Sequence, residues 1–271
     1  MTPLPFQAVA FDLDDTLLRD DLTISDFTVS TVRRLAERGV RIIPASGRAQ
    51  LSMKPFLDRL ACASLYISCN GAEIWDAGTH QLLHRETFSR ETGQAIAAFG
   101  KKHGVYTQTY AGACFYYNEE SHWARQYAAS SMLQGVFAGD LEAFIQEPRC
   151  KILMMATEER IASMLQEARE LFAGRVSVTC SKPWFLEFNP LKATKGLALE
   201  RAGALLKIPP ESFLAFGDSL NDLSMLQRAG RGILMANGRA DLRNLVDGIC
   251  PSNQEDGVAR YLENVFGEVP A

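Results

Sequence analysis

Residues 8–17 read Ala-Val-Ala-Phe-Asp-Leu-Asp-Asp-Thr-Leu, an apolar run that ends in a cluster of acidic residues. A short apolar run of this kind is typical of a buried parallel strand, and the acids suit its carboxyl end, where the strand opens into a site. Asp12 and Asp14 are two residues apart, so their side chains share one face if the extended backbone continues. We therefore predict a strand over 8–11 with two carboxylates converging beyond its end.

The segments that flank the middle of the chain alternate between helix and strand. After the first strand, the patterns predict a helix over 25–38, a strand over 40–44, a helix ending near residue 60 and a strand over 65–68. The C-terminal part shows the same alternation, with a helix over 194–206, a strand over 213–216, a helix over 222–230 and a strand over 232–235. This order is typical of a doubly wound, Rossmann-like parallel α/β sheet, which binds ligands at the carboxyl ends of its strands.

The middle of the chain has a different pattern. Helices are predicted over 92–103 and 158–172, and short strands over 105–110, 113–117, 151–156, 176–180 and 185–188. Strands separated by short turns favour an antiparallel sheet that carries helices. We therefore predict an α/β domain of residues 1–83 and 190–271, interrupted by an inserted α+β domain of residues 84–189.

The composition restricts the class of protein. The 271 residues are 47% hydrophobic and 22% charged, as in an ordinary globular protein. The formal net charge of −4 argues against a nucleic-acid partner, which usually requires a basic face. We expect neither a membrane span, which needs ~18 apolar residues, nor a signal peptide. The six cysteines form no Cys-x-x-Cys pair, which favours free thiols in a cytoplasmic protein, while the oligomeric state stays open.

A second acidic cluster follows another predicted strand. Residues 217–222 read Gly-Asp-Ser-Leu-Asn-Asp and open a helix. The first cluster alone is equally compatible with a solvated turn, since aspartate is common in turns. Two strand-end clusters on a doubly wound sheet, however, can face one crevice. Asp218 and Asp222 would then complete a Mg²⁺ site with Asp12 and Asp14, because oxygen ligands suit that cation.

Groups that bind anions lie in two further predicted loops. Ser46 and Gly47 follow the second strand and offer a hydroxyl and backbone N–H groups. Lys195 lies in the first turn of its helix, where its ammonium adds to the field of the helix N-terminus. Each feature is also common in ordinary turns and on solvated helices. Together with the acids, they describe a phosphoryl group held between Mg²⁺ on one side and Ser46, Lys195 and N–H groups on the other.

Four motifs, in order, resemble those of the haloacid dehalogenase superfamily of phosphatases. They are Phe-Asp-Leu-Asp-Asp-Thr-Leu at 11–17, Ala-Ser-Gly-Arg at 45–48, Lys-Gly at 195–196 and Gly-Asp-Ser-Leu-Asn-Asp at 217–222. Three more are similar to the Cof-type branch, whose large cap lies between the second and third motifs: Asn-Gly-Ala at 70–72, Met-Ala-Asn at 235–237 and Glu-Asp-Gly-Val-Ala at 255–259. The sequence departs from the pattern at Asp15, where many relatives have glycine, which concerns the geometry of that turn.

The resemblance implies a role for each matching acid. Asp12 would be the nucleophile that attacks phosphorus and forms an aspartyl-phosphate. Asp14 would be the general acid that protonates the leaving alcohol, and then the base that activates water. Mg²⁺ would be held by the Asp12 carboxylate, the Asp14 backbone carbonyl and Asp218, with Asp222 supporting it directly or through water.

The resemblance also assigns the remaining groups. Ser46 and Lys195 would bind the transferring phosphate, and Asn221 would orient Lys195 or the phosphate. The inserted domain would be a mobile cap that closes over the site and selects the leaving group. Contacts on the substrate side are expected from five residues, Arg48, Asn70, Gly71, Glu187 and Asn189.

These observations predict a Mg²⁺-dependent phosphatase that hydrolyses small phosphorylated metabolites, either sugar phosphates or similar monoesters. A phosphomutase of the same superfamily is an alternative, but it would have to rebind a bisphosphate intermediate, and no second phosphate site is evident. A non-catalytic metabolite-binding module is a further alternative, although such relatives would be expected to lose one of the acids. The sequence does not name the substrate.

Overall fold

The computed structural model describes residues 4–267, which form two compact units. The first contains 4–47, Met53–His84 and 194–267, and the second contains Arg48–Ser52 and Arg85–Ala193. The sequence analysis ends the cap at residue 189, whereas its last strand continues to Pro190, which pairs with Val176. Segment 48–52, assigned to the core from sequence, groups with the second unit. Residues 1–3, where a signal peptide would begin, and 268–271 lie outside the described residues.

The described residues form fourteen strands and nine α-helices. The strands are β1 (Ala8–Phe11), β2 (Arg41–Pro44), β3 (Leu65–Ser68), β4 (Glu73–Asp76), β5 (Leu82–Arg85), β6 (Tyr106–Ala111), β7 (Cys114–Tyr117), β8 (Gln134–Phe137), β9 (Ile152–Met155), β10 (Val176–Thr179), β11 (Phe185–Pro190), β12 (Phe213–Gly217), β13 (Arg231–Met235) and β14 (Gly248–Cys250). The helices are α1 (Asp26–Glu37), α2 (Gln50–Leu60), α3 (Arg90–His103), α4 (His122–Ser131), α5 (Leu141–Phe144), α6 (Glu158–Leu171), α7 (Lys195–Leu206), α8 (Leu220–Leu226) and α9 (Gly257–Phe266). In this part of the chain, no helix has both the length and the apolar character needed to cross a membrane.

A five-stranded parallel sheet forms the centre of the first unit, in the order β14-β13-β12-β1-β2. Alternate residues of β1 enter the two layers of the core: Val9 and Phe11 pack with α1, α2 and α9, whereas Ala8 and Ala10 pack with α7 and α8. The predicted doubly wound α/β fold is confirmed. Phe11 is in register with Phe216 on one side and Pro44 on the other. The loops that follow β1, β2 and β12 therefore emerge at the same edge of the sheet.

Local capping determines where the helices of the first unit begin. The Ser25 side chain accepts the N–H of Thr28 at the start of α1, and Thr194 accepts the N–H of Leu197 at the start of α7. Helix α8 begins at Leu220 rather than at the predicted Asp222, because Ser219 and Asp222 form a reciprocal capping box.

Strand β3 differs from its predicted place in the parallel sheet. It pairs antiparallel with β4, in a three-stranded sheet ordered β3-β4-β5, and also adjoins β2 of the parallel sheet. The contact with β2 consists of a parallel bridge between Ala45 and Ile67 and of a hydrogen bond from the N–H of Ser64 to the carbonyl of Ile42. The predictions omit β4 and β5, which are short and have a less regular apolar pattern.

The second unit is a six-stranded sheet in the order β10-β11-β9-β6-β7-β8. Its pairings are antiparallel except for the parallel pair β7 and β8. One face packs against α3 and α6 through Met154 and Phe188, among others. The other face carries an aromatic cluster that includes Tyr106, Tyr110 and Phe115. The structure thus contains the α+β arrangement expected of this region, and adds α4, α5 and β8, which the predictions lack.

Candidate active site

Three aspartates come together at the carboxyl edge of the parallel sheet. Carboxylate oxygens of Asp12, Asp218 and Asp222 lie within 4.8 Å of one another. Asp12 is anchored to the sheet, because its N–H donates to the carbonyl of Phe216 at 3.1 Å. Asp12 and Asp222 are buried, whereas Asp14 is half-buried in the turn that follows β1. The two acidic motifs predicted to share one crevice therefore do meet.

Lys195 lies inside this group of acids, with no exposed surface. Its Nζ donates to Oδ1 of Asp12 and to Oδ1 of Asp222, at 2.5 Å in each case. Burial by itself would lower the pKa of Lys195, but the carboxylates of Asp12 and Asp222 outweigh it and hold that pKa above its ordinary value. Lys195 therefore carries a positive charge next to the predicted nucleophile.

The acids exceed this one cation in number, which fits a divalent metal. Burial raises the pKa of Asp12 well above its ordinary value; Lys195 opposes this effect and the neighbouring aspartates reinforce it. Burial, and then the charge of Asp222, raise the pKa of Asp218 to about 7. If all three carboxylates are ionised, their charge exceeds that of the one ammonium by two. A hard divalent cation matches both that charge and an all-oxygen donor set.

Asp222 already has a partner on each carboxylate oxygen. Its Oδ1 accepts from Lys195, and its Oδ2 accepts the backbone N–H groups of Asp218 and Ser219, both at 3.0 Å. Gly217 permits this turn, since a Cβ there would lie 2.4 Å from the Cβ of Asp222. These contacts favour Asp12 and Asp218 as the direct ligands of a cation, with Asp222 orienting both Lys195 and the turn that carries Asp218.

Ser46 and Gly47 lie at the same edge of the sheet, after β2. Ser46 is buried, and its N–H donates to the carbonyl of Ile67 at 2.9 Å. That N–H is therefore engaged within the fold, and the predicted anion-binding role of Ser46 depends on its side chain. A Cβ on Gly47 would lie 2.8 Å from Oδ1 of Asn70, so a larger residue would force the Asn70 side chain to move.

The loop after β3 is tightly packed against the site. Cys69, Asn70 and Gly71 all have positive φ, at 51°, 57° and 99°. A Cβ on Gly71 would lie 2.3 Å from the carbonyl oxygen of Thr194, immediately before Lys195. Asn70 accepts a hydrogen bond at 3.1 Å from Asn221, the residue predicted to orient Lys195 or the phosphate. These contacts are internal to the fold, and the expected substrate contacts of Asn70 and Gly71 stay predictions.

The remaining predicted residues belong to the second unit. The Arg48 guanidinium donates to Ser52 Oγ at 3.1 Å and to the carbonyl of Ser130 at 3.2 Å. Glu187 is buried and accepts a hydrogen bond at 2.5 Å from Lys151. Among the described residues, the buried oxygens Glu187 Oε2 and Asn189 Oδ1 have no hydrogen-bond partner. Glu187 and Asn189 are two residues apart in β11, so both side chains point to the same face of the sheet.

The sequence analysis assigned no role to two polar residues near the site. Thr16 donates its hydroxyl to Asp218 Oδ1 at 3.1 Å and so links the two acidic motifs. Asn237 donates to the carbonyl of Asp15 at 2.7 Å. Both stand inside motifs that carry the family resemblance, at 11–17 and 235–237, but their partners are distant in the sequence.

A doubly wound core with strand-end aspartates around a buried lysine defines the class to which this protein belongs. The sequence matches the haloacid dehalogenase-like hydrolases over residues 9–262, and the chain belongs to that family. The recognition of a Cof-type member and the prediction of a hydrolase are confirmed, because the match covers most of the chain.

Known proteins are similar to this chain over nearly its whole length. A 5-amino-6-(5-phospho-D-ribitylamino)uracil phosphatase of Bacillus subtilis is 28% identical over 258 residues, 94% of each chain. An HMP-PP phosphatase of Serratia proteamaculans is 26% identical, with 96% of this chain and 95% of the relative covered. The crystal structure of a haloacid dehalogenase-like hydrolase from Bacteroides thetaiotaomicron superposes with a TM-score of 0.89 at 26% identity, covering 96% of this chain and all of that one.

Proposed function

We propose that the protein is a Mg²⁺-dependent phosphatase that hydrolyses small phosphorylated metabolites, such as sugar phosphates or similar monoesters, through an aspartyl-phosphate on Asp12. The main support is the arrangement of Asp12, buried at the end of β1 and held by the Lys195 ammonium at 2.5 Å. The relatives named above are phosphatases of phosphorylated small molecules. The free thiols further lead us to propose a cytoplasmic location.

In the proposed first step, a carboxylate oxygen of Asp12 attacks phosphorus while the bond from phosphorus to the leaving oxygen breaks. Lys195 keeps a positive charge beside that carboxylate and beside the phosphoryl oxygens, whose charge it stabilises. The hydroxyl of Ser46 binds a second phosphoryl oxygen. Asp222 holds the Lys195 ammonium in place throughout.

Asp14 moves the protons in this mechanism. It donates a proton to the departing alkoxide in the first step, and accepts one from water when the aspartyl-phosphate is hydrolysed. Asp14 is half-buried in the turn after β1, two residues beyond Asp12.

Mg²⁺ would be held by Asp12 and Asp218, with the Asp14 carbonyl and Asp222 in support. When bound, the ion neutralises the excess charge of the carboxylates and polarises the phosphoryl group. Glu187 Oε2 and Asn189 Oδ1, two buried acceptors without a partner among the described residues, would accept hydrogen bonds from hydroxyl or amino groups of the leaving group.

A phosphate-release assay over a panel of phosphorylated metabolites, with Mg²⁺ or with excess chelator, tests the proposal. Asp12→Asn should abolish turnover. Asp14→Asn should lose more activity on a sugar phosphate than on p-nitrophenyl phosphate, because nitrophenolate leaves without a proton. Rapid quenching followed by mass spectrometry should find a phosphoryl group on the peptide that contains Asp12.

Asp21→Asn provides the matched control, since Asp21 is an exposed acid nearby in the chain. Full activity in excess chelator, an active Asp12→Asn variant, or a phosphoryl group trapped on Ser46 would contradict the proposed mechanism.

A further inference from the structure

The side chains of Asn237 and Asn253, which have no role in the proposed reaction, hold the turn that carries Asp14. This turn spans Leu13–Leu17 and is closed by the N–H of Leu18, which donates to the carbonyl of Leu13 at 2.8 Å. Asn237 follows β13 and donates from Nδ2 to the carbonyl of Asp15 at 2.7 Å. Asn253 follows β14 and donates from Nδ2 to the carbonyl of Leu18 at 3.0 Å. We name the side chains of Asn237 and Asn253 the amide clasp.

The two members of the amide clasp also hold each other. The backbone N–H of Asn253 donates to Oδ1 of Asn237 at 3.1 Å. This contact fixes the orientation of the Asn237 amide, because a flipped amide would place its oxygen against the carbonyl of Asp15 and its NH₂ against an N–H. Asn253 is buried and makes a further bond from Nδ2 to Asp20 Oδ1 at 3.1 Å.

The turn needs such support because its backbone is unusual. Asp15 has a φ of 58° and a ψ of 5°, in the left-handed region that a non-glycine residue seldom occupies. Such a backbone conformation persists when surrounding contacts hold it in place. The hydrogen bond from Asn237 to the carbonyl of Asp15 is a contact of this kind.

Asp12 has separate anchors, which makes the effect of the clasp distinguishable. Its N–H bonds the carbonyl of Phe216 in β12, and its carboxylate bonds Lys195. Neither contact passes through Asp15 or Leu18. Loss of the clasp therefore disturbs Asp14, which follows Leu13, more than Asp12, which precedes it.

We propose that Asn237 and Asn253 are positioning residues that aim Asp14 for proton transfer to the leaving group. The inference rests on the proposed function in one respect, the role of Asp14 as the general acid. It requires no direct contact between the clasp and the substrate. It gives a role to the Met-Ala-Asn motif, which the proposed reaction does not otherwise use.

Two measurements on Asn237→Ala and Asn237→Asp test this role. The first is hydrogen–deuterium exchange over residues 12–20, where we expect the amide of Leu18 to exchange on the order of 10-fold faster than in the wild type. The second compares phenyl phosphate with p-nitrophenyl phosphate, esters of similar size whose leaving groups differ in their need for a proton. We expect kcat/KM to fall on the order of 10- to 100-fold for phenyl phosphate, and much less for the nitro ester.

Asn237 is exposed, so its variants should fold. Asn253→Asp tests the second member of the clasp. Asn244→Ala is the matched control, because Asn244 is an exposed asparagine seven residues after Asn237 in the chain. Unchanged exchange in the turn would overturn the clasp. Faster exchange with equal losses on both esters would overturn its role in aiming Asp14. If the wild type with Mg²⁺ releases phosphate from neither ester and from no metabolite of the panel, the proposed function fails and the aiming role fails with it. The exchange data still decide whether the clasp holds the turn.

Discussion

Replacing Lys195 with methionine should destabilise the fold strongly, because this ammonium is the charge partner of two buried carboxylates. Lys195 and Asp222 have fully buried side chains, and that of Asp12 is 7% exposed. Breaking a buried ion pair by removing one partner costs about 3–5 kcal/mol. At about 2–4 °C per kcal/mol for a domain of 150–250 residues, Lys195→Met should lower Tm by roughly 6–20 °C.

The loss should depend on pH in a definite direction. Lys195 lowers the pKa of Asp12, so without the ammonium Asp12 binds a proton still more tightly in the folded chain than in the unfolded one. The free energy of unfolding of the variant then falls as the pH rises, so its deficit relative to the wild type is larger at neutral pH than near pH 4. A second substitution, Asp222→Asn, should recover part of the loss, since it removes one of the two unpaired charges.

Scanning calorimetry in excess chelator, at neutral and at acidic pH, measures both effects. Lys54→Met is the matched control, since Lys54 pairs with Asp58 at 2.6 Å but both side chains are more than half exposed. An exposed helical pair of this kind contributes about 0.3–0.5 kcal/mol. If Lys195→Met melts within the range of Lys54→Met, or if its deficit grows as the pH falls, the assignment of Lys195 as the partner of ionised carboxylates is refuted.

Three further outcomes follow from the structure. First, burial raises the pKa of Asp218 to about 7, so the folded metal-free protein binds the proton more tightly than the unfolded chain does. The protein should therefore lose stability as the pH rises from about 4 to 7. Calorimetry should show a shallower loss in Asp218→Asn and a rescue by Mg²⁺ that increases with pH. Second, Gly71→Ala should lower both Tm and activity, because the new Cβ would lie 2.3 Å from the carbonyl oxygen of Thr194. Gly39→Ala is the control: Gly39 has a similar φ of 92° but lies in open space, so this change should cost only about 1–2 kcal/mol of backbone strain. Equal unfolding free energies for the two variants would argue against the clash. Third, Asn189→Ala should reduce kcat/KM for a hydroxylated substrate by about 5- to 10-fold more than for p-nitrophenyl phosphate, and an unchanged ratio would exclude a role in binding the leaving group.

Much of the fold is predictable because the deciding signals are local. The strand at Ala8–Phe11 has the predicted limits, and α1 begins after the serine that was expected to cap it. Apolar periodicity and capping act over a few residues, so they can be read without knowledge of the rest of the chain. The predictions place β3 beside β2 but omit its antiparallel pairing with β4, although Asn-Gly at 70–71 is a common turn signal between paired strands.

The residues that gather at the candidate site were also predictable, but the hydrogen bonds between them were not. Both acidic motifs and Lys195 could be named from strand-end position and from the family resemblance, since parallel strands bring their carboxyl ends to one edge. That Lys195 bridges Asp12 and Asp222 could not be derived in this way, because the pairs are separated by 183 and 27 residues. The bond from Asn237 to the carbonyl of Asp15 spans 222 residues and involves a backbone atom that every residue possesses.

The sequence by itself therefore determined the alternation of helices and strands on either side of the insert, the acids at the strand ends and the family to which the chain belongs. Only the tertiary structure decided which carboxylate each donor meets, which oxygens are already occupied and which glycines allow close approach. The physical reason is a difference in range. Backbone conformation responds to side chains a few residues away, whereas the charge and hydrogen bonding of a buried group depend on the register of strands, such as Phe11 against Phe216, that lie two hundred residues apart in the chain.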